Sequence, residues 1–351
     1  MEDLLLKDYA PRSSLVVDEH LVERPRFPVV DVHNHLGARR TDSFGDPSPS
    51  GLTGSAEDVE PLVRMMDQCG VRAIVNLTGL WGDDLKRLIE QYEGGYPGRF
   101  VTFANLDWRR AKEPGFGEWA ARQLEDSVRA GAHGLKVFKG LGLKYRDGSG
   151  KLLSPDDERL DPIWAKAGEL GVPVLIHIAD PVDFFRPLDR HNESYLALLR
   201  YPEWHFFGSD YPSFQELVDA GIRLIARHPS STFVTAHTGW YSENLRFVGE
   251  SMLDRLPNMY TDFSARLAIL GRQPRMTRDF FVKYQDRVLF GTDATPSQQV
   301  YRLHFRVLET EDDCIETHPG AWRRIYGVAL PAEVLEKVYH KNAERLIPGL
   351  I

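Results

Sequence analysis

Five residues of this chain combine the types and spacing that divalent-cation chemistry needs. His33 and His35 stand two apart in DVHNH, His177 closes VLIHI, His237 closes FVTAH and Asp293 closes LFGTD. Imidazole nitrogens and a carboxylate are the donors that borderline divalent cations prefer, and three imidazoles with one carboxylate suit zinc, manganese or iron. One H-x-H pair alone says little, because 12 histidines in a 351-residue chain give roughly 0.4 such pairs by chance. The weight comes from position. Each of the five sits at the end of an apolar run. Residues i and i+2 of a strand share a face, so both rings of DVHNH can point one way. Charged groups at buried strand ends are costly unless paired. A bound cation would satisfy them; a metal-free polar network is the alternative.

The elements that must position these residues are legible as a repeat. Eight short apolar runs alternate with amphipathic stretches: 29–33, 71–77, 99–106, 133–138, 172–178, 231–237, 258–264 and 287–293. Continuous rather than alternating apolar runs suit strands buried on both faces of a parallel sheet. The stretches between them end in glycine, as in SAEDVEPLVRMMDQCG (55–70), where a left-handed C-cap is expected. The spacing of about 33 residues per unit is that of a βα repeat. Eight units predict a (β/α)8 TIM barrel, an α/β fold whose sites form at the C-terminal ends of the strands. An open doubly wound sheet is the competing architecture, but no G-x-G-x-x-G follows the first run. Residues 1–26 read as an N-terminal extension and 27–351 as one barrel domain. Long connections are expected after strands one, five and eight, at 36–54, 179–212 and 294–330, where function concentrates.

Other residues near the strand ends qualify as substrate contacts. Lys136 lies on strand four in GLKVFKG, Lys139 follows it, and Arg266 follows strand seven. Lys136 has three open readings: a bridge between two metals, a cation for a substrate carboxylate or hydroxyl, or an internally paired barrel lysine. Trp240, with Trp81 and Trp108, would line an aromatic pocket or pack beneath loops. Asp180 reads as a partner for an imidazole N–H or as an Asp-Pro turn. FGSDYP repeats the FGTD pattern, but Asp210 falls in the connection after strand five, so Asp293 is the preferred ligand. The two cysteines, Cys69 and Cys314, lack a C-x-x-C pattern and suit a reducing compartment. A net charge of −8 argues against a nucleic-acid partner. No run of 18 apolar residues occurs, so no membrane span is expected. These features predict a soluble cytoplasmic protein with a small-molecule substrate, open to homo-oligomerisation.

The ordered set DVHNH, IHIAD, TAHTG, FGTDATP and KNAERLI resembles the amidohydrolase superfamily, within it the amidohydrolase-related branch that includes aminocarboxymuconate semialdehyde decarboxylase. The resemblance spans residues 27–348. It implies that His33, His35, His177 and Asp293 hold one divalent metal, zinc above all. It also implies that His237 is a general base or substrate contact, and in some members a ligand. Lysine on strand four belongs to binuclear members, so Lys136 departs from the branch pattern. The first expectation for function is hydrolysis of a lactone, ester or amide of a small anionic or polyhydroxylated substrate by a metal-activated water. Asp293 or His237 would carry the proton. The alternative is non-oxidative decarboxylation of a small carboxylic acid. A non-catalytic metal or carbohydrate binder is the third.

Overall fold

The computed structural model describes Leu5, Asp8 and Tyr9 and residues 13–37, 58–179, 181–318 and 323–350. Eight strands form one sheet in sequential order: β1 Val29–Asn34, β2 Val71–Leu80, β3 Phe100–Ala104, β4 Leu135–Val137, β5 Val174–Ile176, β6 Phe233–Thr235, β7 Met259–Asp262 and β8 Val288–Leu289. All seven sequential pairs are parallel. The ring closes through two backbone bonds between its first and last members, Val32 N–H to Phe290 O at 2.9 Å and Asp293 N–H to His33 O at 2.7 Å. Every strand begins inside an apolar run expected from the sequence. The (β/α)8 barrel is the fold.

Local chemistry places the helices. Helix 60–69 ends at Gly70, whose φ of 71° accepts the left-handed C-cap without a Cβ penalty. Helix 214–227 opens with a reciprocal capping box between Ser213 and Glu216. A large apolar cluster fills the space between sheet and helices. A smaller one draws Val30, Val32, Val75, Leu175, Val234 and Leu289 from alternate strand positions and adds Ala343 and Ile347 of the C-terminal segment; it fills the barrel interior.

Two connections differ from expectation. The stretch 294–330 is not an open loop: it holds a 12-residue helix, 298–309, and the two-stranded ribbon β9 Ile315–Glu316 with β10 Arg324–Ile325. The Ser297 hydroxyl caps that helix, which buries Tyr301, His304, Phe305 and Leu308 on one face. After β5 the chain carries two short 3₁₀ turns and the helix 195–200, and Asp210 lies exposed on this insertion. Residues 38–57, most of the first expected loop, and Asp180 lie outside the described residues. The strap 13–26 has no regular structure. It is fastened by His20 N–H to Asp312 at 2.8 Å and by Arg26 N–H to Glu309 at 3.1 Å. No described helix is long and apolar enough to cross a membrane.

Candidate metal centre

The site begins with a bulge in β1. Asp31 pairs with Ile74 and Asn34 with Asn76, so three steps on β1 match two on β2. One extra residue shifts the side-chain alternation. Val30 and Val32 lie in the interior cluster and Asp31 between them faces helix 298–309, while the extra residue turns His33 into the mouth. Asp31 locks this geometry. Its buried carboxylate accepts from the Thr292 amide (3.0 Å) and hydroxyl (2.7 Å), the Tyr301 hydroxyl (2.9 Å), Asn34 (3.1 Å) and the His33 amide (3.2 Å). It thereby joins the end of β1 to the residues that follow β8. Burial pushes its pKa up, and the hydroxyl and amide donors partly offset that.

A second buried carboxylate, Asp262 at the end of β7, organises the histidines. His33 Nδ1–H donates to it at 2.9 Å, as do the Ser264 hydroxyl at 2.6 Å, the Ser264 amide at 3.0 Å and the His237 amide at 3.2 Å. His237 Nδ1–H donates to the Ser264 carbonyl at 2.8 Å. Both rings thus carry their proton on Nδ1 and present a bare Nε2 to the mouth. His237 and Thr238 hold left-handed backbone at φ 60° and 61°, and Ala179, Ala265 and Asp293 do the same just after β5, β7 and β8. Non-glycine residues pay about 1–3 kcal/mol each for such strain, which clusters at functional sites.

Asp293 completes the constellation. Its Oδ1 lies 3.5 Å from His35 Nε2 and 4.0 Å from His33 Nε2, and its Oδ2 lies 3.9 Å from His237 Nε2. The carboxyl opens on the mouth with 28% of its surface exposed. The packed strand ends nonetheless push its pKa up to about 7; Lys136 and Arg266 pull it down, while Asp262 and Asp31 push it further up. Donor atoms of His33, His237 and Asp293 all lie within 4.8 Å of one another, the only such group among the described residues. His35 packs edge-on to His33, with centroids 5.6 Å apart, and His177 meets the His237 ring edge-on at 4.5 Å. Burial first, and then Lys139, Lys136 and Arg266, hold His177 well below the usual imidazole range, so it is neutral and able to ligate. Two bare imidazole nitrogens and a carboxylate oxygen at this spacing, flanked by two further imidazoles, fit a divalent cation.

The predicted substrate residues divide. Lys136 is buried and its Nζ lies 3.2 Å from His33 Nε2. Lys139, also buried, sits over the rings of Phe184, Trp204 and Phe206 at 5.0, 5.3 and 5.7 Å, all three from the insertion after β5. Arg266 is half-buried beside the mouth and donates to the Ala265 carbonyl at 3.1 Å. Trp240 is a correction. It is fully buried, its indole N–H donates to the Ile176 carbonyl at 2.9 Å, and its ring fills the space beside Gly221. It is a core residue beneath the mouth, because its indole N–H is held by the Ile176 carbonyl and Gly221 leaves room for its ring. Sequence reading missed Asp31, Asp262 and Ser264. The available signal was a carboxylate inside each of two apolar runs, VVDVH and MYTDFS, where unpaired acids are rare.

A family description, amidohydrolase, matches residues 30–349. The chain belongs to the amidohydrolase family. No curated protein sequence matches it. Among solved structures, the 2,6-dihydroxybenzoate decarboxylase from Rhizobium is 17% identical, with a TM-score of 0.56 over 91% of this chain and 98% of that one. A dihydroxybenzoic acid decarboxylase from Polaromonas sp. JS666, with bound manganese and the inhibitor 2-nitroresorcinol, is 19% identical, with a TM-score of 0.56 over 91% and 96%. The 5-carboxyvanillate decarboxylase from Sphingomonas paucimobilis is 16% identical, with a TM-score of 0.53 over 91% and 98%. At these identities the likeness shows a shared barrel.

Proposed function

We propose that this amidohydrolase-family protein is a divalent-cation-dependent decarboxylase of a small carboxylic acid. The observation that carries the reading is the charge around the histidine–aspartate cluster. Lys136, Lys139 and Arg266 all bear electrostatically on His177, and Lys136 and Arg266 also on Asp293. Three side-chain cations held at a mouth that also takes a divalent cation suit an anionic substrate and would be wasted on a neutral lactone. The names of the similar barrels, decarboxylases of dihydroxybenzoates and of 5-carboxyvanillate, agree with this choice.

In this reading His33, His35, His177 and Asp293 hold one zinc or manganese ion, with His237 beside them as a proton carrier or further ligand. When bound, the ion would supply a Lewis acid that fixes the substrate's oxygens and draws charge from the reacting carbon. The protein's own groups do the rest. Lys136 and Lys139 attract and orient the carboxylate. Asp293 Oδ1 faces His33 and His35, whereas Oδ2 faces His237 and is the oxygen placed to exchange a proton. The carbon–carboxylate bond breaks, its electron pair stays on carbon and takes a proton from Asp293, and carbon dioxide leaves. His237, bare at Nε2 and with its ring held by Ser264, takes up a proton from water and passes it to Asp293, so the proton delivered to carbon is replaced from solvent.

Hydrolysis is the second reading, because the Asp293–His237 couple is equally placed to accept a proton from water. A panel of hydroxybenzoates and hydroxylated dicarboxylates, scored for released carbon dioxide, and a panel of lactones and amides, scored for released acid, separate the two. Turnover of lactones alone would reject decarboxylation. Metal content of protein purified without chelator, by plasma mass spectrometry, is expected near one ion per chain. About two would bring back Lys136 as a bridge, and none after reloading would end both readings.

A further inference from the structure

We infer that the opposite end of the barrel carries a second site, for a soluble phosphate-bearing small molecule, in the hollow between the N-terminal strap and the helix 60–69. The hollow measures about 580 Å³, within the range that takes a small ligand. It lies at the N-terminal ends of the strands, walled by residues just before β1, β2 and β3, and shares no residue with the cation cluster. Its apolar surface includes Phe27 and Pro28, and four arginines face it: Arg24, Arg26, Arg72 and Arg99. Asp67 is the one carboxylate in its wall.

The four guanidiniums are of two kinds. Arg99 is pinned: Nε donates to the Arg72 carbonyl at 2.8 Å, Nη2 to the Val71 carbonyl at 3.3 Å, and Nη2 pairs with Asp67 at 2.8 Å. Arg72 is pinned by Glu344. Arg24 and Arg26 come from the strap and are exposed; among the described residues neither guanidinium has a carboxylate partner. A rigid half and an uncommitted half therefore meet across one hollow. Gly70 sets their approach. A Cβ there would fall 2.9 Å from Pro25 Cδ and 4.0 Å from Arg24 Nη2, so glycine lets the strap lie close and keeps Arg24 over the hollow.

The ligand class follows from the charge. Within a chain of net charge −8, Glu344 and Asp67 neutralise Arg72 and Arg99, whereas Arg24 and Arg26 leave two cations at one hollow that an anion would join. A carboxylate occupies one guanidinium fork with its two oxygens. A phosphate offers three acceptor oxygens and nearly two charges, and so engages several forks at once. The Phe27 and Pro28 surface would take an apolar body attached to it.

The test uses the full-length chain and sodium pyrophosphate as probe, followed by titration calorimetry. Binding is expected with Kd below about 1 mM. The double variant Arg24→Gln/Arg26→Gln should weaken it at least about 10-fold, since two charge-assisted hydrogen bonds are lost. Lys139→Gln, at the mouth, should leave it unchanged. Amide exchange at 20–26 should slow on adding pyrophosphate, because the anion ties the strap to the barrel. Undiminished binding in the double variant, or loss of binding in Lys139→Gln, would overturn the site. So would binding to phosphatidic acid vesicles with none to pyrophosphate, which would assign the arginines to a membrane headgroup.

Discussion

The two ends of this barrel hold charge in opposite ways. At the mouth, His33, Asp262, Asp31 and Lys136 are at most 1% exposed and satisfy one another through short, specific bonds. At the bottom, Asp67 is 62% exposed and pairs with an arginine in contact with water. Removing charge from water costs several kcal/mol unless partners replace the solvent, whereas an exposed pair is nearly neutral in energy. The mouth therefore spends folding stability on a preset arrangement of donors, and the bottom does not. Strain shows the same asymmetry. Ala179, His237, Thr238, Trp240, Ala265 and Asp293, six of the eight described non-glycine residues at positive φ, follow β5 to β8 at the mouth.

The contrast predicts a ranking. Asp293→Ala should have the largest effect, a fall in kcat/KM on the order of 1000-fold together with loss of bound metal. Unchanged metal content in that variant would remove Asp293 from the site. His304 comes next, just behind the mouth against Phe263 and Phe290. Burial holds its pKa down at about 4, against 6.5 in the unfolded chain. Between those values the unfolded chain binds the extra proton. Stability is therefore intact above pH 6.5, falls as pH drops towards 4 and levels off below. The span is at most about 3 kcal/mol, and His304→Phe should flatten it in urea titrations across that window. An unchanged slope would show that another group is responsible.

Asp262→Asn follows, with metal affinity or turnover expected to drop about 10–100-fold, because the amide no longer fixes the His33 proton on Nδ1. Metal titration and steady-state rates would show it, and wild-type values in both would mean Asp262 is only structural. Trp240→Phe should cost about 1 kcal/mol of stability through the orphaned Ile176 carbonyl, with KM unchanged. A shift in KM instead would return Trp240 to the substrate pocket. Smallest of all, Asp67→Asn at the bottom should shift stability by less than about 0.5 kcal/mol and leave turnover alone. A larger loss there would erase the distinction between the two ends.

How much of this was legible in the sequence depends on whether a residue's role is local. The strands were, because burial on both faces leaves an unbroken apolar run such as VPVLI, and the ends of those runs are where the five ligand candidates were proposed. The bulge in β1 was not, since an extra residue exists only relative to the register of β2. Nor were Asp262 and Ser264 as anchors of His33, a partner 229 positions away from Asp262. Trp240 misled because following a strand does not decide which way a side chain turns. Helix 298–309 was passed over because it sits where a long loop was expected, although Ser297 and its apolar face mark it.

The closure of β8 on β1 has a consequence in time. His33 is made early and Asp293 late, yet their backbones share a hydrogen bond and their side chains share the mouth. A nascent chain can carry His33, His35, His177 and His237 and still lack the carboxylate, the Asp31 lock on Thr292 and the eighth stave of the barrel. If the proposed cation site is the right one, tight capture of a cation would wait for the last strand to dock. Cation affinity would then report that synthesis has passed residue 293 and the ring has shut.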